Sequence, residues 1–100
     1  MSSRRTKALM IDQRAKSAVR RRDGNRCILC GCIGCPDAHY ISRAQSGLGI
    51  EQNVVTLCMD CHRVYDQSPE REEIKQEIRA YLMSKYKDWD ESKLVYRKYD

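Results

Sequence analysis

The chain has 100 residues, of which 33% are charged, and it contains six cysteines, one tryptophan and no phenylalanine. A chain of this length folds as one domain, and we expect a structural metal to supplement a core so poor in large apolar residues. No stretch approaches the roughly 18 apolar residues that span a membrane. The N-terminal residues, MSSRRTKALMIDQRAKS, lack the apolar region of a secretory signal. We therefore expect a reducing location, where cysteines bind metal rather than form disulfides.

The net charge of +5 is spread unevenly along the chain. Residues 1–26 carry nine Lys or Arg against two Asp, a net of +7, whereas residues 27–66 carry a net of −2 and contain both histidines. A basic segment beside a slightly acidic, His-containing centre indicates attraction to a phosphate backbone from one part and cation chemistry in the other. The charge distribution alone is equally consistent with a basic segment that is exposed to solvent and binds no partner.

The first part of the chain predicts a basic arm followed by a helix. Residues 1–10 show no apolar period, and we expect them to form a flexible arm. From Asp12 to about Arg22 the pattern predicts a helix, with Asp12 as its N-cap and basic residues at the C-terminal end of its dipole. The sequence Asp23-Gly24-Asn25 is a turn signal that ends this helix.

The middle of the chain predicts a ββα unit. Residues 38–42 and 54–57 are short and rich in β-formers, and the glycine-containing stretch between them predicts a long hairpin loop. A helix is expected to begin at Cys58. On this helix His62 and Asp66 are four residues apart and therefore share one face.

A longer helix is expected over residues 69–86, with Ser68 as its N-cap and Pro69 as its first residue. Beyond it, Asp90 can cap a final short helix, while residues 94–96 fit a strand equally well. The predicted organisation is a flexible arm at 1–10 and a single domain at 11–100, with a metal-binding ββα core at 27–66 and a helical extension at 67–100.

The strongest chemical signal is a pair of CxxC motifs about thirty residues apart. Two thiolates on each of two turns supply the four tetrahedral positions of a structural Zn²⁺ site. The predicted ligands are Cys27, Cys30, Cys58 and Cys61. Cys32 and Cys35 form a third CxxC, which we interpret as lying outside the site, although exchange into it or a second metal also fits the sequence. A CxxC redox protein is a weaker interpretation, because no βαβ pattern surrounds the motifs.

A second group of residues lies among these cysteines. The stretch AHYISRAQSGLGIEQNVVTLCMDCH contains His39, Asn53 and His62 and ends in N-x-x-x-L-C-x-x-C-H. Over residues 20–66 the pattern resembles the HNH endonuclease family, whose ββα-metal (His-Me finger) fold has a His ending the first strand, an Asn before the second and a His on the helix. The whole chain is more loosely similar to small HNH proteins of phages and prophages. The resemblance implies an α+β fold, a small zinc-stabilised ββα-metal domain with flanking helices.

The resemblance also implies metal-dependent hydrolysis of DNA phosphodiester bonds, by nicking or double-strand cleavage, with 5′-phosphate and 3′-hydroxyl products. It makes His39 the general base that activates water, a role that suits imidazole because its pKa lies near neutral pH. Asn53 is implied to fix the loop that orients His39. His62 is implied to bind a catalytic divalent cation, with Asp66 as a further ligand. The implied cation is Mg²⁺, Mn²⁺ or Ni²⁺, and the oxygen ligand favours the harder ions.

One position departs from the family pattern. Members usually carry Asp or His directly before the base as a metal ligand, and this chain has Ala38 there. Asp37 or water then fills the vacancy, or the register slides so that His39 is the ligand and Tyr40 takes the place of base or nucleophile. The spacing of fourteen residues from His39 to Asn53 favours the first register. A weak metal site with little catalysis is a third interpretation.

The basic residues predicted to contact DNA are Arg20, Arg21, Arg22, Arg43 and Arg63. We expect them to grip the phosphate backbone rather than read bases. A non-catalytic zinc-stabilised DNA-binding or adaptor module is the alternative function. The phage resemblance implies a cytoplasmic protein of the bacterial host with DNA and no membrane as partner. The same resemblance suggests a role either beside a phage terminase in genome packaging or in mobility of the element itself.

Overall fold

The computed structural model of the chain describes residues 4–97. Its helices and strands are α1 (Arg4–Leu9), α2 (Gln13–Asp23), β1 (Cys35–His39), β2 (Val54–Leu57), α3 (Met59–Gln67) and α4 (Arg71–Lys85). Short 3₁₀ turns lie at Arg43–Gln45, Glu51–Asn53 and Glu91–Lys93. The two strands pair antiparallel and β2 leads directly into α3, which confirms the predicted α+β class. None of the helices within residues 4–97 is long and apolar enough to cross a membrane.

Helix α2 has the caps that its sequence predicts. The Asp12 side chain accepts a hydrogen bond from the Ala15 N–H at 2.8 Å and so satisfies one free donor of the first turn. At the other end Gly24 adopts a left-handed conformation, with φ of 66°, and its N–H donates to the Arg20 carbonyl. Val19 is fully buried on the inner face. The predicted helix and the turn that ends it are confirmed.

The N-terminal segment is helical, whereas an arm without regular structure was expected. Helix α1 has 6 residues and ends at Leu9, whose side chain is 2% exposed. The Gly49 N–H donates to the Ala8 carbonyl at 3.0 Å. A helix this short is not stable alone, so these tertiary contacts account for its formation. Residues 1–3 of the expected arm lie outside the described residues.

The first strand of the hairpin differs from the prediction. It runs over Cys35–His39 rather than 38–42. Its pairing with β2 is irregular around Pro36, which has no N–H to donate to the ladder. Directly after His39 the chain leaves the sheet, and it enters the first 3₁₀ turn at Arg43. The second strand has the predicted bounds, 54–57. The hairpin therefore places His39 at the start of the long loop.

Helix α4 begins later than expected. Ser68 still closes α3, because its N–H donates to the Val64 carbonyl, and its hydroxyl accepts from the Glu70 N–H at 3.0 Å. The expected first helical residue, Pro69, therefore lies in the turn between the helices, and α4 starts at Arg71.

The C-terminal part combines the two features that the sequence left open. The Asp90 side chain accepts from the Ser92 N–H and caps the 3₁₀ turn Glu91–Lys93. Val95 forms an isolated antiparallel bridge with Gly47, so the end of the described chain closes over the hairpin loop.

A buried ion pair joins α2 to β2 and α4. The side chains of Arg22 and Asp23 are 10% and 0% exposed, and their closest atoms lie 2.7 Å apart. Arg22 also donates to the Glu51 carbonyl, the Val54 carbonyl and the Tyr86 hydroxyl. Asp23 accepts from the Thr56 N–H and the Tyr81 hydroxyl. Because the guanidinium of Arg22 is occupied inside the fold, its predicted contact with a DNA backbone is disfavoured.

Candidate functional site

Four cysteines come together where the turn after α2 meets the start of α3. The sulfur atoms of Cys27, Cys30, Cys58 and Cys61 all lie within 4.8 Å of one another. A tetrahedron of Zn–S bonds has edges of about 3.8 Å, and the Cys30 and Cys58 sulfurs are 3.5 Å apart. Gly31, with φ of 82°, closes the first turn by donating its N–H to the Cys27 carbonyl. The predicted group can therefore bind a structural metal such as zinc.

The backbone around this group favours thiolates. Burial raises the pKa of the Cys27 thiol, but the N–H groups of Cys58, Cys30 and Leu29 outweigh burial and bring that pKa to about 7. The Cys58 sulfur accepts from the Cys61 N–H at the positive end of α3. Burial and the neighbouring thiols raise the pKa of Cys61, because a further negative charge there is repelled. A bound cation removes this repulsion, so the four thiols are matched to a metal.

The third CxxC lies outside this group. Cys32 and Cys35 are both exposed. Cys32 contributes its backbone carbonyl, which accepts from the Cys27 N–H at 2.6 Å and so supports the metal-binding turn. This geometry agrees with the interpretation that their sulfurs are not ligands.

Asn53 fastens the long loop between the strands. Its side chain is fully buried. The Oδ1 atom accepts from the Ile41 N–H at 2.9 Å, and Nδ2 donates to the carbonyls of Ile41 at 3.1 Å and Leu48 at 2.8 Å. The Asn53 carbonyl accepts from the Tyr40 N–H at 2.7 Å. These bonds fix the backbone directly after His39, which is the role that the resemblance implies for Asn53.

His39 is held by a carbonyl from outside the ββα unit. Its Nε2 lies 2.9 Å from the Leu9 carbonyl oxygen. Since a carbonyl only accepts, Nε2 carries the hydrogen, and Nδ1 keeps the lone pair that can take up a proton. Burial lowers the pKa of His39, and the neighbouring Arg43 and His62 lower it further. The Leu9 carbonyl and Asp37 raise this pKa but do not outweigh the other groups. The neutral form, the one that a general base needs, is therefore favoured.

His62 lies between two carboxylates. Its Nδ1 is 3.6 Å from Asp37 Oδ1, and its Nε2 is 3.5 Å from Asp66 Oδ2. Asp37 and His39 flank the fully buried Ala38 on β1, so they project from the same, outer face of the strand. The four polar side chains line one open cleft of about 240 Å³. Asp37 therefore lies where a carboxylate can replace the ligand missing at Ala38.

Tyr40 is placed in the core. Its side chain is 1% exposed, and its hydroxyl donates to Glu91 Oε1 at 2.8 Å. Burial and this carboxylate raise its pKa well above the usual range. These contacts disfavour the alternative in which Tyr40 replaces His39 as base or nucleophile.

Two basic residues beside the cleft were not singled out from the sequence. Arg71 of α4 lines the cleft and stacks over the Tyr65 ring, 5.0 Å from its centroid. Lys16 of α2 lines an adjoining cleft of about 260 Å³ that also contains His39. Arg43, which was predicted, lines both. The sequence carries no signal for Lys16 and Arg71, because only packing shows which of many helical charges face the site.

The other predicted DNA contacts lie on the exposed surface. Arg20 and Arg21 are exposed at the C-terminal end of α2. Arg63 forms an exposed ion pair with Asp60 at 3.3 Å and lines a third cleft, which it shares with His62. These three side chains remain available to an anionic partner.

Comparison of the chain with protein-family models finds no match, and comparison with curated proteins finds none either.

Proposed function

We propose that the chain is a metal-dependent endonuclease of the HNH type that hydrolyses DNA phosphodiester bonds and leaves 5′-phosphate and 3′-hydroxyl ends. The observation that carries this proposal is the single cleft shared by Asp37, His39, His62 and Asp66. A general base, a set of ligands for a hard cation and an open surface are the components that phosphodiester hydrolysis requires.

His39 acts as the general base in this proposal. Its Nε2–H donates to the Leu9 carbonyl, so Nδ1 accepts the proton of the attacking water. Asn53 holds the loop that follows and so limits movement of the imidazole. The backbone on both sides of the cleft therefore orients the base before substrate arrives.

Asp37 and His62 hold the catalytic cation. Imidazole nitrogen and carboxylate oxygen are ligands that suit Mg²⁺, Mn²⁺ or Ni²⁺. When bound, such an ion polarises the scissile phosphate and stabilises the leaving 3′ oxygen. A single ion would bind only one of the two His62 nitrogens, and we assign Nδ1 as the ligand atom because it faces Asp37 at 3.6 Å. Asp66 then positions His62 through Nε2.

Basic residues around the cleft bind the DNA backbone. Lys16 and Arg71, from helices on either side of the ββα unit, supplement Arg43 at the cleft itself. Arg20 and Arg21 extend the positive surface along α2. Because these residues lie on helices and loops outside any base-reading element, the proposed binding is salt-sensitive and weakly selective for sequence.

The test is conversion of supercoiled plasmid to nicked or linear form by the zinc-loaded protein with added Mg²⁺, Mn²⁺ or Ni²⁺. Wild type should cleave, and Asp37→Asn should lose most of this activity because an amide is a poor ligand for a hard cation. Glu77→Gln is the control: it also replaces a carboxylate by an amide, at an exposed position of α4 outside the cleft, and should cleave as wild type does. Cleavage by Asp37→Asn at the wild-type rate would show that Asp37 is not a ligand.

A non-catalytic zinc-stabilised DNA-binding module is the second candidate. One observation favours it: the four cysteine sulfurs lie within 4.8 Å of one another, whereas His62 meets Asp37 and Asp66 through two different nitrogens, at 3.6 and 3.5 Å. DNA binding without cleavage under each of the three cations would support this candidate over the nuclease.

A further inference from the structure

Two cavities lie on the side of the fold formed by the C-terminal segment. The first, of about 480 Å³, lies between the 3₁₀ turn at Glu51–Asn53 and the chain after α4, and its wall includes Tyr86, Trp89 and Leu94. The second, of about 470 Å³, includes Val95 and Tyr96. Lys93 lines both cavities. We call the two cavities together the C-terminal groove.

The aromatic residues of the groove present carbon surface to it. The Trp89 indole N–H donates to the Gln52 carbonyl at 2.8 Å. The Tyr86 hydroxyl accepts from Arg22 at 3.0 Å. Tyr40 packs edge-to-face with the Trp89 ring, with ring centroids 5.7 Å apart, and the Arg79 guanidinium carbon lies 5.9 Å from the Trp89 centroid. The apolar Trp89 surface that lines the groove is therefore the part that these two side chains leave uncovered. Such a wall suits a planar, weakly polar group.

Positive charge follows the same groove. Its basic side chains are Lys85, Lys87, Lys93 and Arg97, against two acidic ones, Asp88 and Asp90. Asp90 already accepts hydrogen bonds from the N–H and hydroxyl of Ser92, at 3.0 and 2.7 Å. The Lys87 side chain makes no hydrogen bond or ion pair with the part of the chain that the structure describes, 4–97. An anion that contains flat rings therefore suits the groove, because its rings match the aromatic wall and its negative charges match the basic side chains.

We propose that the C-terminal groove binds single-stranded nucleic acid, with bases against Trp89 and Tyr96 and phosphates at Lys87, Lys93 and Arg97. Proteins that bind single strands with little sequence preference combine aromatic side chains, on which the bases stack, with basic side chains that contact the phosphates. An acidic peptide fits less well, because it supplies negative charge without the regular series of flat rings that a single strand would place against the aromatic wall. The proposal does not depend on the nuclease activity, since the groove and the His39 cleft share no lining residue.

Trp89 makes the proposal directly measurable, because it is the one tryptophan of the chain. The zinc-loaded protein is titrated with a short oligo(dT) strand, without chelator and without added Mg²⁺, Mn²⁺ or Ni²⁺, and the Trp89 fluorescence is recorded. We expect saturable quenching with a dissociation constant of about 10⁻⁴ to 10⁻⁶ M at physiological salt. The His39→Ala variant should be quenched as wild type is, which separates this proposal from the nuclease.

Two pairs of variants distinguish contact from general charge. Lys93→Glu should weaken binding and lower the slope of log affinity against log salt by about 0.7 or more for the lost phosphate contact. Lys7→Glu, the same change on exposed α1, should leave both quantities near wild type. Tyr96→Leu should weaken binding about 5- to 150-fold through lost stacking, while Tyr96→Phe, which keeps the ring, should restore it.

Three results would overturn the proposal. One is fluorescence that does not change with oligo(dT). The second is equal quenching by a duplex of the same length, whose paired bases cannot reach the wall. The third is equal weakening by Lys93→Glu and Lys7→Glu, which would indicate attraction to net charge rather than to the groove.

Discussion

Replacing Asn53 by Asp exchanges one nitrogen for oxygen at a fully buried position and tests whether this amide holds the loop. In the wild type Nδ2 donates to the carbonyls of Ile41 and Leu48, and an Asp oxygen placed there meets two carbonyl oxygens. Each buried acceptor left without a donor costs about 1–3 kcal/mol, so the two together cost about 2–6 kcal/mol. Against a total stability of about 5–15 kcal/mol for a small domain, this is a large loss.

The assay is thermal unfolding of the zinc-loaded protein at neutral pH, followed by circular dichroism. A loss of 2 kcal/mol corresponds to a decrease in Tm of roughly 8–16 °C for a domain of this size. Asn25→Asp is the matched control, because Asn25 is exposed, has φ of 61° and lies in a turn that Asp also tolerates. Its effect should stay within about 0.5 kcal/mol. Equal Tm values for the two variants would show that the hydrogen bonds donated by the Asn53 amide do not stabilise the loop.

Two further predictions concern the metal group and the buried ion pair. Cys30→Ser should lower the zinc content per chain and the Tm, whereas Cys32→Ser, also at an exposed cysteine, should change neither; equal zinc loss in both would show that Cys32 is a ligand. Asp23→Asn should cost about 3–5 kcal/mol at neutral pH, because Arg22 keeps its buried charge without a partner. The hydrogen bonds that Asp23 accepts lower its pKa in the folded state. They therefore stabilise the fold at pH values above the usual pKa of a carboxyl group. The difference in unfolding free energy between wild type and Asp23→Asn, measured by urea titration, should therefore decrease as the pH falls through that lowered pKa. A difference that does not change with pH would contradict the lowered pKa of Asp23.

The features that could be predicted from the sequence are those set by local spacing. The two CxxC motifs bring their cysteines together because the hairpin lies between them and the second motif forms the start of α3. Asp12 and Gly24 define the ends of α2. The position of His62 and Asp66 on one helical face also follows from a separation of four residues.

The features that could not be predicted depend on tertiary contacts of residues that look ordinary in sequence. Leu9 makes α1 part of the fold, and its carbonyl reaches His39 thirty residues away. Arg22 belongs to a run of three arginines, yet it alone of the three is oriented into the fold. There it donates to backbone carbonyls of β2 and of the 3₁₀ turn that precedes β2. Arg71 has no periodic pattern that would place it beside His62. Side chains of this kind acquire a role only through the neighbours that packing gives them.

The most direct test of the central claim is the rate of plasmid cleavage by His39→Gln with Mn²⁺ present. The glutamine amide can donate to the Leu9 carbonyl, as Nε2 of His39 does, but it cannot accept a proton from water. We predict a loss of about 10²–10⁴-fold in cleavage rate, with DNA binding and Tm close to wild type. Cleavage within about tenfold of the wild-type rate would contradict the assignment of His39 as the general base.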